Sequence, residues 1–208
     1  MEETTRNYEK DPANIERLSL EIIRNTLSSY AIDERLMDVV ARVVHAAGDF
    51  SLASLIESRN DALALAREAF SSGGQIFCDV EMLKSGISRR ECARLELEPV
   101  CFIHDEKTAE LARRNGVTRA MASVDIAVER GIRLFAFGNA PTALFRLLEL
   151  RELGAEVDFT AAMPVGFVGA ADSKETLAAS DIPSILLRGP RGGSGLCAAC
   201  LNALLRMV

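Results

Sequence analysis

His45, Arg119 and three glycine-rich turns hold the proton-transfer and anion-binding potential of this chain. Gly138-Asn139-Ala140-Pro141-Thr142-Ala143-Leu144-Phe145 joins an apolar run to an amphipathic one. Pro164-Val165-Gly166-Phe167-Val168-Gly169-Ala170-Ala171-Asp172-Ser173-Lys174-Glu175 makes a second junction, and Arg191-Gly192-Gly193-Ser194 leads through Ala203-Leu204 into the last amphipathic segment. Each is expected to leave free backbone N–H groups at a helix N-terminus, where the helix dipole favours negative charge. Singly, each reads as an ordinary tight strand-to-helix turn; together they suit a large polyanionic ligand.

His45 ends the segment Asp33 to Ala47, in which Leu36, Val39, Val40, Val43, Val44 and Ala47 form one apolar stripe. The imidazole projects from nearly the opposite side, in the last turn before Gly48. There the negative end of the helix dipole favours imidazolium, hence a proton donor, and a solvated or C-capping histidine is the plainer alternative. Arg119, after Gly116-Val117-Thr118, opens a helix and could grip a carboxylate bidentately or stand as a surface arginine. Ser19, among Leu18, Leu20 and Ile22, is a hydroxyl that can simply bond its own helix. His104, beside Asp105, Glu106 and Lys107, reads as a solvated turn before a helix start.

Nucleotide motifs fail their structural tests. Gly193-Ser194-Gly195-Leu196-Cys197-Ala198 matches a dinucleotide fingerprint ending in Ala, yet the chain has no following strand or ribose-binding acid some 20 residues on. From Gly189 onward no Gly-Lys-Ser/Thr completes a phosphate loop. Cys197-Ala198-Ala199-Cys200 has redox spacing but lies in the final helix without the surrounding thioredoxin-like elements, and no second Cys or His pair makes a zinc set. The five cysteines, Cys78, Cys92, Cys101, Cys197 and Cys200, are odd in number and sit mostly in apolar segments, which predicts reduced core thiols.

The elements that must position these groups alternate. Asn14 to Ser28, Asp33 to Ala47 and Asn60 to Ser71 have helical spacing, the last capped by its Asn. Short apolar runs at Ile76 to Val80, Val100 to Ile103, Leu134 to Phe137, Val157 to Ala162 and Ile185 to Leu187 read as strands. Helices are expected over Glu106 to Asn115, Ala120 to Arg130, Pro141 to Leu153 and Asp172 to Ala179, with Pro141 in a first turn, Asp172 and Glu175 as a capping box, and Ser194 capping the last helix. This pattern predicts an α/β fold: a mostly parallel sheet flanked by helices on both faces, in three layers, after a helical N-terminal segment. All three junctions then lie at the carboxyl ends of strands, the ligand-binding edge of such sheets.

The 208 residues, 49% hydrophobic, suffice for one domain over 1–208, with 1–12 a flexible tail. A net charge of −6, no dense Lys/Arg block and no Trp argue against a nucleic-acid surface. The acidic, polar start has no apolar h-region and no window reaches membrane-span length, so a cytoplasmic protein that binds no membrane is expected.

Gly74-Gln75-Ile76-Phe77-Cys78-Asp79-Val80-Glu81-Met82-Leu83-Lys84-Ser85-Gly86-Ile87, Gly116-Val117-Thr118-Arg119, Gly138 to Leu144, Pro164 to Lys174 and Arg191-Gly192-Gly193-Ser194 resemble, in order, the precorrin-8X methylmutase (cobalt-precorrin-8 methylmutase) family of corrin biosynthesis. The resemblance runs from about Ile15 to the C-terminus. It implies an isomerase that moves a methyl group from C-11 to C-12 of precorrin-8 or its cobalt form, giving hydrogenobyrinate or cobyrinate. It also implies a homodimer with active sites near the subunit interface. The shift is intramolecular, so no cofactor and no resident metal are expected, cobalt being part of the substrate where present. His45, in Arg42-Val43-Val44-His45-Ala46-Ala47-Gly48-Asp49, matches the family's catalytic histidine, as donor of a proton or strong hydrogen bond to the macrocycle. Ser19, Thr118, Arg119, Gly138, Asn139, Ala140, Gly166, Gly192, Gly193 and Ser194 are the expected substrate-binding residues. Ala120 stands where many relatives have Ser. Two competing functions remain at this point: a corrinoid carrier, in which His45 is dispensable, and a redox protein using Cys197 and Cys200.

Overall fold

The computed structural model describes residues 8–208; residues 1–7 of the expected tail lie outside the described residues. The first helix, α1 (Pro12–Leu27), starts on Pro12 with the Asp11 carboxylate accepting from Ala13 N–H. A 3-10 turn over Glu34–Leu36 leads into α2 (Met37–Ala47), which stops at Gly48 in the left-handed region, φ 64°. The chain then alternates through β1 (Ile56–Arg59), α3 (Ala62–Ser71), β2 (Gly74–Cys78), α4 (Glu81–Gly86), α5 (Arg89–Arg94) and β3 (Leu97–Val100). It continues through α6 (Glu106–Asn115), α7 (Arg119–Glu129), β4 (Leu134–Phe137), α8 (Pro141–Glu152), β5 (Phe159–Ala162), α9 (Ala170–Ala179), β6 (Ser184–Leu187) and α10 (Ser194–Arg206).

The six strands form one sheet in the order β1-β6-β5-β4-β2-β3, parallel except for β1, which runs antiparallel to β6. Successive residues of the central strands enter different cores. Ile76, Cys78, Leu134, Ala136, Ile185 and Leu187 join the layer containing α2, α3 and α10, whereas Phe77, Phe135, Phe137 and Leu186 join the layer of α7, α8 and α9. Both faces are covered, which is why these strands are rich in apolar residues. Each buried Phe contributes roughly 1.5–3 kcal/mol by leaving water. After β2 the chain moves outward to β3, then returns to β4 on the other side of β2 and proceeds to β5 and β6. The pair β2/β4 is therefore the topological switch point of a doubly wound sheet.

Several local expectations need correction. The strand expected at Val100 to Ile103 is β3, ending at Val100; Pro99 within it is tolerated because β3 is an edge. Strand β1 carries one apolar residue, Ile56, followed by Glu57, Ser58 and Arg59, so a search for apolar runs passes over it. Helices α4 and α5 are six residues each, too short for a periodic signal. Helix α9 begins at Ala170 with Gly169 as its cap, which places Asp172 inside the helix and removes the expected capping box. Gly193, not Ser194, caps α10. Asn60 caps no helix: its Nδ2 donates to Ser180 O and Ile182 O, both at 2.9 Å, and Asp61 stands at the start of α3.

Candidate functional site

The parallel strands β2, β4, β5 and β6 bring their carboxyl ends to one edge, and the three glycine junctions meet there. A Cβ on Gly138 would lie 2.7 Å from Ser194 Cα, and one on Gly192 would lie 2.2 Å from Met163 O, so glycine is required where the first and third junctions and the end of β5 pack together. Gly193 N–H donates to Met163 O at 2.8 Å and Gly166 N–H to Pro190 O at 3.0 Å. The three turns thus form one platform.

The expected free N–H groups are only partly free. At the switch point the fully buried Asp79, one residue beyond β2, accepts from Gly138 N–H (Oδ1, 3.0 Å), Asn139 N–H (Oδ2, 2.8 Å) and Ala140 N–H (Oδ2, 2.7 Å). An internal carboxylate occupies the anion position that the sequence suggested for a ligand. Burial pushes the Asp79 carboxyl up, and the three N–H donors pull against it. Gly166 and Gly193 also spend their N–H groups internally. Among the described residues, Ser194 N–H and Gly195 N–H in the first turn of α10, and Gly169, Ala170, Ala171 and Asp172 N–H around the start of α9, have no protein acceptor.

Lys174 is the second fully buried charged side chain of this edge. Its Nζ donates to Pro164 O at 2.9 Å and to Arg191 O at 2.7 Å, fastening the β5–α9 loop to the β6–α10 loop. Burial draws its pKa down from 10.5 to about 8. Sequence reading missed both groups, although signals exist. Asp79 directly follows the buried run Ile76-Phe77-Cys78, and Lys174 shares the inward stripe of Ala170, Ser173 and Leu177 on α9.

His45 is exposed in the last turn of α2, while Val39, Val40, Ala41, Val43 and Val44 are buried, as the helical stripe requires. The turn after it reaches the platform: Arg191 Nη1 donates to Asp49 Oδ2 and to Ser51 Oγ, each at 2.8 Å. Ser51's hydroxyl and amide, with Arg191, hold the Asp49 carboxyl below its ordinary value. The pairs Arg24–Asp38 (2.6 Å) and Glu16–Arg42 run α1 along α2, so Ser19 on α1 flanks the half of α2 that ends in His45. Ser19 Oγ donates to Ile15 O at 2.7 Å, the plain intrahelical bond.

Thr118 caps α7 by accepting from Met121 N–H at 3.1 Å and lies 3.3 Å from Thr142 Oγ1 in the first turn of α8. That contact sets the start of α7 against the first turn of α8. The exposed Arg119 makes no ion pair among the described residues, and Asn139 is exposed at the same rim. Val165, Phe167 and Val168 project from the β5–α9 loop, with Phe167 100% exposed, giving the edge an apolar surface beside its donors. His104 is an exposed turn residue before α6.

All five cysteines are buried and unpaired. Burial pushes the Cys200 thiol up to about 12, and Cys197 Sγ donates to Ala161 O, so both pack as core thiols. A cavity of about 720 Å³ opens at the opposite edge of the sheet. Its Arg133 and Arg151 are each paired at 2.7 Å, with Asp158 and Asp181.

A doubly wound sheet whose carboxyl edge combines glycine-spaced donors, unpaired polar groups and exposed apolar side chains defines an α/β protein with a candidate ligand site at that edge. The family model described as CbiC, precorrin-8X methylmutase, matches residues 14–207. The chain is 40% identical to the cobalt-precorrin-8 methylmutase of Salmonella typhimurium, over 96% of this chain and 97% of that protein. It is 39% identical to the precorrin-8X methylmutase of a Sinorhizobium species, with the same coverage of both chains. The crystal structure of precorrin-8X methylmutase from Thermus thermophilus superposes with a TM-score of 0.85 at 31% identity, covering 93% of this chain and 96% of that one. This chain belongs to the precorrin-8X methylmutase family, isomerases that carry out a methyl migration in cobalamin biosynthesis. Among the described residues no helix is long and apolar enough to cross a membrane.

Proposed function

We propose that the chain moves the methyl group from C-11 to C-12 of precorrin-8 or cobalt-precorrin-8 by a 1,5-sigmatropic shift, giving hydrogenobyrinate or cobyrinate. The observation that carries this reading is the exposed His45 at the C-terminal end of α2, whose following turn is tied by Asp49 and Ser51 to Arg191 of the rim. The imidazolium donates a proton or strong hydrogen bond to the macrocycle, which leaves the π-system electron-poor and lowers the barrier to migration. The proton returns to His45 once the methyl has moved. Bond making and breaking stay within the substrate, so the reaction needs no methyl donor and no cofactor.

The rim supports this chemistry by orientation. Arg119, Asn139 and the unpaired N–H groups of the α9 and α10 first turns suit the acetate and propionate carboxylates of a corrinoid. Val165, Phe167 and Val168 suit its apolar face. Ser19 and Thr118 orient the ring from the α1 and α7 sides, and Gly138, Ala140, Gly166, Gly192 and Gly193 shape the surface on which it rests. The working unit is proposed to be a cytoplasmic homodimer. Purified protein incubated with precorrin-8 or cobalt-precorrin-8, without any methyl donor, is expected to produce the absorption change of the rearranged corrin. Binding of both compounds with conversion of neither would instead identify a corrinoid carrier.

A further inference from the structure

Lys174 poses a physical problem that the reaction scheme leaves unused. Its side chain is fully buried, its hydrogen bonds go to two carbonyl oxygens, it makes no ion pair with any described carboxylate, and burial disfavours its charged form. A buried, uncompensated ammonium costs several kcal/mol, and an apolar side chain at this inward position of α9 would pack without that cost. What the ammonium touches gives the charge a purpose.

Its two acceptors are the carbonyl oxygens of the Pro164–Val165 and Arg191–Gly192 peptide groups. A trans peptide is planar, with its N–H pointing opposite to its C=O, and the described chain has no cis peptide bond. Val165 N–H and Gly192 N–H therefore point away from Lys174, and neither has a protein acceptor among the described residues. An ammonium bound to the oxygen end of a peptide group polarises it and strengthens the donor at the other end. The neighbouring Gly166 and Gly193 N–H groups are bonded internally, whereas Val165 and Gly192 N–H are directed away from the ammonium without a protein acceptor.

We infer that Val165 N–H and Gly192 N–H are carboxylate-binding donors of the substrate rim, and that Lys174 is the positioning residue that fixes both loops and charges both donors through their peptide groups. This rests on the proposed corrinoid substrate, whose side-chain carboxylates supply the anions. The ammonium acts through the backbone and touches no reacting atom.

The test compares two ligands that differ only in charge at the rim: cobyrinate and its fully amidated form. Dissociation constants are measured by corrin absorbance for wild type, Lys174→Met and Lys174→Gln, with circular dichroism confirming the fold. Gln removes the charge yet keeps N–H donors for the two carbonyls, and it carries the test if the Met variant unfolds. Wild type is expected to prefer the carboxylate form, and both variants should lose about tenfold of that preference while binding the amide form nearly as wild type does. A purely structural role would weaken both ligands equally and leave the ratio unchanged, which overturns the inference while leaving the enzyme assignment intact. Absence of any carboxylate preference in wild type would overturn both the inference and the substrate reading beneath it.

Discussion

Asp79, just past the end of β2, accepts the Gly138 N–H just past the end of β4 at 3.0 Å, closing the sheet's switch point with a buried carboxylate. The position at which doubly wound folds commonly receive a ligand's phosphate is here filled by the protein's own anion, which also holds Asn139 N–H and Ala140 N–H. The donors left without a protein partner lie outside the crevice, in the β5–α9 loop and the first turn of α10.

Asp79→Asn therefore tests whether that carboxylate builds the platform. An amide offers one acceptor oxygen and turns its NH₂ toward backbone donors, so at least one of three buried N–H groups loses its partner. The expected cost is about 2–4 kcal/mol in urea unfolding at neutral pH. A change below about 0.5 kcal/mol would show that the turn is held by other means.

Glu57 on the edge strand β1 accepts from Arg188 Nε at 2.7 Å and from Arg59 Nη2 at 2.6 Å. The Arg188 hydrogen bond, with Arg59 adding, holds its carboxyl below the ordinary 4.5. A carboxylate whose folded pKa is depressed contributes stability above its unfolded pKa and loses that contribution as pH falls through the folded value. Glu57→Gln is expected to lose about 1 kcal/mol near pH 7, with the deficit shrinking below about pH 4.5. A deficit that does not change between neutral and strongly acidic pH would assign the loss to packing.

The cysteines give a simple reactivity prediction. Cys78, Cys197 and Cys200 are fully buried with thiols pushed far above neutral pH, and Cys92 and Cys101 are buried and also raised. A thiol reagent should modify none of these five in the native protein within minutes, and all of them in denaturant. Rapid native reaction at Cys197 or Cys200 would revive a redox role.

The central layers were legible because β2, β4, β5 and β6 are largely buried on both faces and rich in apolar residues, with glycine turns marking where β4, β5 and β6 lead into helices. The polar edge strand β1 and the short helices α4 and α5 carry no such pattern, and their formation depends on neighbours already in place. The rim was legible as glycine spacing, and His45 as the residue off its helix's apolar stripe. The use of each N–H was not. Whether Gly138 N–H is free depends on Asp79, 59 residues earlier, and Lys174 finds its acceptors only once two loops meet. Tertiary packing decides both.

The proposed mechanism requires His45 to act on the ring itself. Single-turnover absorbance with precorrin-8, together with the hydrogenobyrinate dissociation constant, should be measured on wild type and His45→Ala from matched preparations. This mechanism predicts that the rearrangement slows by about 10²-fold or more, while product affinity changes by less than about threefold. Rearrangement at the wild-type rate, or a loss of rate matched by an equal loss of binding, would contradict it.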